Sequence, residues 1–358
     1  MSIFSDFFKK EAPLLGLQGS GGGLGFLAGG GADPIDASGG TKTFSGEYTI
    51  HTFLRSAGAT QNFTVASGSG YIDWLVIGGG GGGGGDGLGS ASGQGRCSSG
   101  GGAGGYRTSM PEGPGGPNPS AEPQLLVDGP AQYEIVIGGG GTGSDASGSG
   151  NQTPGGFSRL GHPTTIRSEG GGAGTGANNP GIRFDGGSGG GGSAFASGSL
   201  AGGRGNRVGG QHPTSPAPNQ GYDGGTGYGF SPENSGSAGG GGGAGAVGAD
   251  GHPNTTQSNQ GYGGIGKISS ITGSNVKRAG GGSAGWTPEP LHNANGGDYG
   301  SGGGGYGPGS SPQDRRNGDA ATANTGSGGG GGGATSPYTN YVGGGNGADG
   351  IVIIRYLT

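Results

Sequence analysis

Apolar and polar residues alternate along this chain in only a few short stretches. Tyr48, Ile50, Thr52 and Leu54 interleave with Thr49, His51 and Phe53, the two-residue period of a strand. Phe63 and Val65 mark a second short strand. Tyr71-Ile-Asp-Trp-Leu-Val-Ile77 is the third and most apolar, and it runs straight into Gly78–Gly85. Gln132–Ile137 repeats that arrangement before Gly138–Gly141, and Ile351–Tyr356 is a last apolar run near the chain's end. Strands so far apart in sequence pair only where the two ends of a domain meet. The pattern therefore predicts a mostly β and irregular fold, with a small antiparallel β platform over 41–138 closed by 350–358. The stretch 139–349 is then one long insertion.

That insertion has almost no apolar period, because it is built of glycine. Glycine is 109 of 358 residues, concentrated in runs such as Gly189–Gly192, Gly239–Gly243, Gly302–Gly305 and Gly328–Gly333. An average chain has roughly 7%. Each glycine gives up much backbone entropy and buries no side chain, so such runs are either disordered or packed backbone on backbone. Collagen is excluded, since the runs are contiguous and lack the one-in-three register. The ordered alternative is the polyglycine type II helix, akin to polyproline II, with three residues per turn and no internal hydrogen bonds. Its N–H and C=O groups must then pair with neighbouring helices. The bracketing strands and the runs' similar lengths favour a bundle of such helices over 139–349.

An internal repeat lies inside the insertion. His212-Pro213 followed by Asn219-Gln220-Gly221-Tyr222 recurs as His252-Pro253 followed by Asn259-Gln260-Gly261-Tyr262, offset by 40 residues throughout. The simplest geometry is one up-and-down helix pair per repeat, with equivalent loops at the same end of the bundle. Residues 1–40 precede the platform as an arm. Ile3, Phe4, Phe7 and Phe8 form an apolar side on a short amphipathic stretch, Pro13 ends it, and Leu14 and Leu15 follow. These six side chains are candidate docking residues toward other proteins of an assembly.

Charge and chemistry narrow the function. The net charge of −5 offers no basic surface for nucleic acid. Cys97 is the only cysteine, so no intrachain disulfide framework exists. No apolar stretch is long enough to predict a membrane-inserted helix. At this glycine content, about ten G-x-G-x-x-G matches arise by composition alone, so none marks a dinucleotide site. Gly261-Tyr-Gly-Gly-Ile-Gly-Lys267 misses a phosphate loop because Ile268 follows the lysine. His162, His212 and His252 sit before prolines and read as turn formers, so no metal and no cofactor is expected. No nucleophile, base and orienting group stand together, and a glycine scaffold has few side chains to hold a catalytic set, so no enzyme is expected.

The junction Trp74-Leu-Val-Ile-Gly-Gly-Gly, the segment Gly-Gly-Ala-Gly-Gly-Tyr-Arg-Thr-Ser (101–109) and the ending Gly-Ala-Asp-Gly-Ile-Val-Ile-Ile-Arg-Tyr (347–356) resemble the glycine-rich domain of phage tail and virion proteins. In composition, the insertion is similar to the receptor-binding adhesins at some phage fibre tips, which display variable loops on polyglycine helices. The resemblance implies a virion protein, a tail fibre or adhesin, that binds a host surface glycan or outer-membrane protein. A capsid decoration, head-fibre or tail-assembly protein is the alternative, and an ice-binding protein a minor one. On this reading the aromatic and arginine residues between glycine runs are the receptor-binding candidates: Tyr222, Tyr228, Phe230, Tyr262, Trp286, Tyr299, Tyr306, Arg315, Arg316 and Tyr338. Rigid aromatics among small polar residues on a fixed scaffold match the composition of a paratope.

Overall fold

A computed structural model describes residues 33–85, 98–111, 121–145, 151–161, 165–176, 185–193, 198–206, 219–229, 237–251, 261–285, 317–333 and 342–358. The described chain is mostly antiparallel β structure, and its only helix is a single 3-10 turn at Arg55–Ala57. In chain order the strands are β1 (Asp36–Ser38), β2 (Thr41–Ser45), β3 (Tyr48–Leu54), β4 (Thr60–Ser67), β5 (Ser69–Ile77), β6 (Tyr106–Thr108), β7 (Leu125–Asp128) and β8 (Ala131–Val136). They continue as β9 (Ser158–Leu160), β10 (Ile166–Ser168), β11 (Ser199–Leu200), β12 (Gly227–Tyr228), β13 (Lys267–Ser269), β14 (Val276–Arg278) and β15 (Ile351–Leu357).

Two sheets stack to form the platform. One runs β2-β3-β15-β5-β6, with β7 on the first half of β5; the other runs β1-β4-β8-β9-β10. The last strand is central: β15 pairs with β3 from Ile351↔Leu54 to Leu357↔Tyr48, and with β5 from Ile351↔Ile77 to Arg355↔Asp73. Side chains alternate across a strand, so β15 feeds two cores. Val352, Ile354 and Tyr356 join Phe53, Phe63, Trp74, Tyr133 and Leu160 between the sheets. Ile351 and Ile353 join Ile50, Leu75, Ile77, Tyr106 and Ile271 on the other face.

The platform exceeds the sequence-based limits at both ends. Strand β1 lies within the stretch assigned to the arm, and β9 and β10 lie past residue 138 yet complete the second sheet. These strands are three residues long, and β9 and β10 each carry one apolar residue, at the end of β9 and the start of β10, beside two polar ones, too short for a period to register.

A buried polar contact ties the first core together. His51 is fully buried and donates from Nδ1 to the Gly39 carbonyl at 2.7 Å. Its Nε2 therefore accepts from the Tyr356 hydroxyl at 3.1 Å. Burial pulls the imidazole below its usual 6.5, and the Lys42 charge adds to this. Burial, with Asp36 nearby, pushes the Tyr356 phenol up to about 12, which keeps it a donor. A histidine whose folded pKa is depressed stabilises the fold while neutral. That contribution is complete above pH ~6.5 and shrinks as pH falls toward the lower folded value. Thermal melts between pH 8 and pH 5 should show a falling midpoint below pH ~6.5, and His51→Gln should flatten that limb.

The glycine runs bond in a period of three. Gly78, Gly81 and Gly84 donate to Gly105, Gly102 and Ser99; Gly79 and Gly82 donate to Gly156 and Thr153; Gly80 and Gly83 donate to Ala348 and Gly345. Partner numbers fall as donor numbers rise, so these three neighbours are antiparallel. The carbonyls of Gly79 and Gly82 accept from Gly171 and Gly174, those of Gly80 and Gly83 from Gly141 and Ser144, and those of Gly81 and Gly84 from Gly329 and Gly332. Those three neighbours are parallel, so the run 78–85 is bonded on all sides by six segments. A Cβ added anywhere from Gly79 to Gly84 would lie 1.9–2.2 Å from a neighbouring carbonyl oxygen. The glycines are required by this closeness.

Side-chain acceptors replace the missing neighbour at the array's edges. Asp349 and Asn346, three residues apart, accept from the amides of Gly140 and Gly143, also three apart. Asp185, Asp223 and Asp250 do the same for Arg204, Gly205 and Thr226. An edge N–H without such an acceptor is left to water, so Asn346→Ala and Asp349→Ala should each cost about 1 kcal/mol in a denaturant titration.

Candidate functional site

The glycine-rich segments run between the platform and a far end. Gly78, Gly105, Gly138, Glu169, Gly326 and Gly350 lie at the platform end, as the bonds Gly78→Gly105, Gly105→Glu169 and Gly350→Gly138 show. Gly85, Ser98, Gly285, Gly332 and Val342 lie at the other, joined by Gly285→Ser98, Ser98→Gly332 and Gly332→Gly84. Seven pairs of described residues at that far end flank segments outside the described residues. The pairs are Gly85 and Ser98, Asp145 and Asn151, Ser193 and Gly198, Gly229 and Ser237, Gly251 and Gly261, Gly285 and Asn317, and Gly333 and Val342. Within one pair, the Asp145 amide donates to Asn151 Oδ1 at 2.9 Å. Tyr228 donates to Ser237 at 3.0 Å, and bonds between neighbouring pairs run from Gly229 to Gly198 (2.8 Å) and from Gly318 to Gly343 (2.9 Å).

Hydroxyl groups brace this end. Ser99 Oγ donates to the Gly191 carbonyl at 2.6 Å and accepts from the Thr175 amide at 2.6 Å, and Thr175 Oγ1 donates to the same carbonyl at 3.1 Å. Three segments are thereby locked at one level. Ser98, Gln152 and Ser193 are also buried here, and their side chains have no hydrogen-bond partner among the described residues. The far end is thus polar under its surface, whereas the platform end rests on Ile77, Ala103, Ala244 and Ala279 of the second core.

Of the receptor-binding candidates, Tyr222, Tyr228 and Tyr262 fall in described segments, and the structure separates them. Tyr228, on β12, lies at the far end opposite Ser199. Half-buried Tyr262 is one residue in from where the chain re-enters at Gly261, and its carbonyl accepts from Ala249. Tyr222 is six residues before Tyr228 on an ascending segment, toward the platform, with its amide on Gly243. Phe230, Trp286, Tyr299, Tyr306, Arg315, Arg316 and Tyr338 lie outside the described residues, as do Ile3, Phe4, Phe7, Phe8, Leu14 and Leu15 of the arm. His162, His212, His252 and Cys97 lie outside them too. Among the described residues no group of His, Cys, Asp and Glu is placed to hold a metal ion, and no helix is long and apolar enough to cross a membrane.

The repeat does not place equivalent loops at one end. The segment containing His212 is flanked by Asn206 and Asn219 at the platform end, where Asn206 Oδ1 accepts from Gln220. The segment containing His252 is flanked by Gly251 and Gly261 at the far end. Between the copies the chain ascends over 219–229, descends over 237–244 and ascends over 246–251. An odd number of passes inverts the second copy. The hydroxyl brace and the edge acceptors were also not anticipated; the acceptors' sequence signal is an Asp or Asn directly before glycine, as in Asn346-Gly-Ala-Asp-Gly350.

The sequence pattern of a family described as a glycine-rich domain matches residues 55–357. No curated protein matches the chain.

Proposed function

The chain belongs to the glycine-rich domain family, and on that premise we propose that it is a display protein of a phage virion. Its glycine-rich segments form a bundle of polyglycine type II helices over 139–349, joined by the run 78–85. The three-residue rotation of hydrogen-bond partners supports this, because only a helix with three residues per turn aims successive amides at three neighbours in turn. The bundle presents seven of the segments between its glycine runs at one end to a host surface glycan or outer-membrane protein, as a tail fibre or receptor-binding adhesin. The arm at 1–40 attaches the particle end. Recognition is by shape and hydrogen bonding, without catalysis, cofactor or nucleic acid.

One observation carries the reading: seven segments begin and end at the end of the array opposite the platform. That is how a rigid scaffold with replaceable loops is arranged. The longest, 286–316, contains Trp286, Tyr299, Tyr306, Arg315 and Arg316. Replacing 286–316 by a glycine–serine linker of equal length should leave far-UV dichroism and the melting midpoint unchanged. Adsorption of particles carrying the variant should fall by about tenfold or more, the loss expected from one or two anchoring residues at ~1.4 kcal/mol or above. Unchanged adsorption with weakened particles would favour an assembly role.

A further inference from the structure

One face of the central sheet is covered over half its length. Ile50, Leu75 and Ile353 lie in the second core. Past them the same face continues along β3, β15 and β5 as Tyr48, Arg355, Leu357, Asp73 and Tyr71, since these positions differ by two. Leu126 of β7 extends it, directly opposite Tyr71. Nothing among the described residues covers this part. Tyr71, Leu126 and Leu357 are 63%, 51% and 60% exposed, three of the six large apolar residues exposed in the described chain. The floor is charge-balanced: Arg355 bonds Asp73 at 2.7 Å and lies over the Tyr48 ring at 4.2 Å. The result is a groove of about 470 Å³ in which Tyr48, Tyr71 and Leu357 stand beside polar Ser69, Gln124 and Thr358, with Leu126 just outside it on β7.

The chain enters the described structure at this groove. Asp33, Pro34 and Ile35 form one wall of it, and the Asp33 carbonyl is held by the Ser69 amide at 3.2 Å. The residues immediately before are apolar and glycine-rich: Leu24, Phe26 and Leu27 precede Asp33 by nine, seven and six positions. Six to nine residues reach at most ~20–32 Å. Crossing from β7 to β3 takes about 15 Å at the ~4.8 Å spacing of strands. The tether is long enough, and the glycines between allow the chain to turn back.

We propose that residues 24–32 of this chain seat in the groove, with Leu24, Phe26 and Leu27 against Tyr71, Leu126 and Leu357. They complete the second core from outside. The cluster from Ile3 to Leu15 is then the part of the arm left for a partner. This assignment is independent of what the far end binds.

The test uses the full chain with a benzophenone-bearing residue substituted at Phe26, irradiated at high dilution, with cross-linked peptides identified by mass spectrometry. The expected product is an intrachain link to peptides containing Tyr71, Leu126 or Leu357. Its yield should fall about tenfold in a Tyr71→Asp/Leu357→Asp variant, which corresponds to ~1.4 kcal/mol of seating. A Tyr71→Ser/Leu357→Ser pair covers the case in which the charged variant unfolds. Links between two chains would assign the groove to a second copy. Those links, links elsewhere in the chain, or no link would each overturn the proposal.

Discussion

Gly81→Ala is expected to unfold the glycine array. A Cβ at this position falls 2.1 Å from the Gly172 carbonyl oxygen and 2.5 Å from its carbon. Both atoms are backbone, so no rotamer relieves the clash. Gly81 donates to Gly102 and accepts from Gly329, and Gly102 donates in turn to Gly172, so displacing one segment strains bonds in its neighbours. Overpacking an ordinary core costs about 1–3 kcal/mol because side chains adjust. Here only backbone is available, and the cost should reach about 4 kcal/mol or more, at the severe end for single substitutions. Gly161→Ala is the matched control. The nearest atom to its added Cβ is 3.7 Å away, so its effect should stay within about 0.5 kcal/mol. Denaturant unfolding followed by far-UV dichroism compares the two directly.

Truncation after Gly350 should have a still broader effect. Strand β15 separates β3 from β5, and without it their facing edges lose every partner over seven and five positions respectively. Ile351, Val352, Ile353, Ile354 and Tyr356 are all at most 4% exposed. Each contributes about 1.5–3 kcal/mol of burial, and together they approach or exceed the ~5–15 kcal/mol by which a domain is normally stable. The truncated chain should therefore lack cooperative unfolding and elute at an expanded size on gel filtration. A synthetic peptide spanning 350–358 should restore part of the β signal, because its pairing with both β3 and β5 couples its binding to their folding. Retention of a sharp melt by the truncated chain would show that β15 is not central to the platform.

Much of the platform was legible in the sequence because its long strands alternate or run apolar. Strands β3, β4, β5, β8 and β15 were each predicted at or near their observed positions. That the last strand closes the platform was expected from its apolar run; its place between β3 and β5 was not, because an apolar run does not name its partners. Short strands were not legible. In β9 and β10 a single apolar residue points inward, which no period reveals. The direction of the repeat was also hidden. Identical motifs at 212–222 and 252–262 say nothing about how many times the chain crosses the array between them, and three crossings invert the second copy. The arrangement of the candidate binding residues was not readable. Tyr222 and Tyr228 stand six residues apart in sequence, yet lie at different levels of the array.

The glycines form a rigid backbone-bonded array and are not loose linkers between strands. Native-state hydrogen exchange at Gly80–Gly83, Gly101, Gly102 and Gly329 tests it most directly. Each of these amides is bonded to another segment at 2.7–3.0 Å. Exchange should be as slow as that of β5 and β15, with opening governed by global unfolding. Exchange of these glycine amides at unprotected rates, while the strands stay protected, would contradict it.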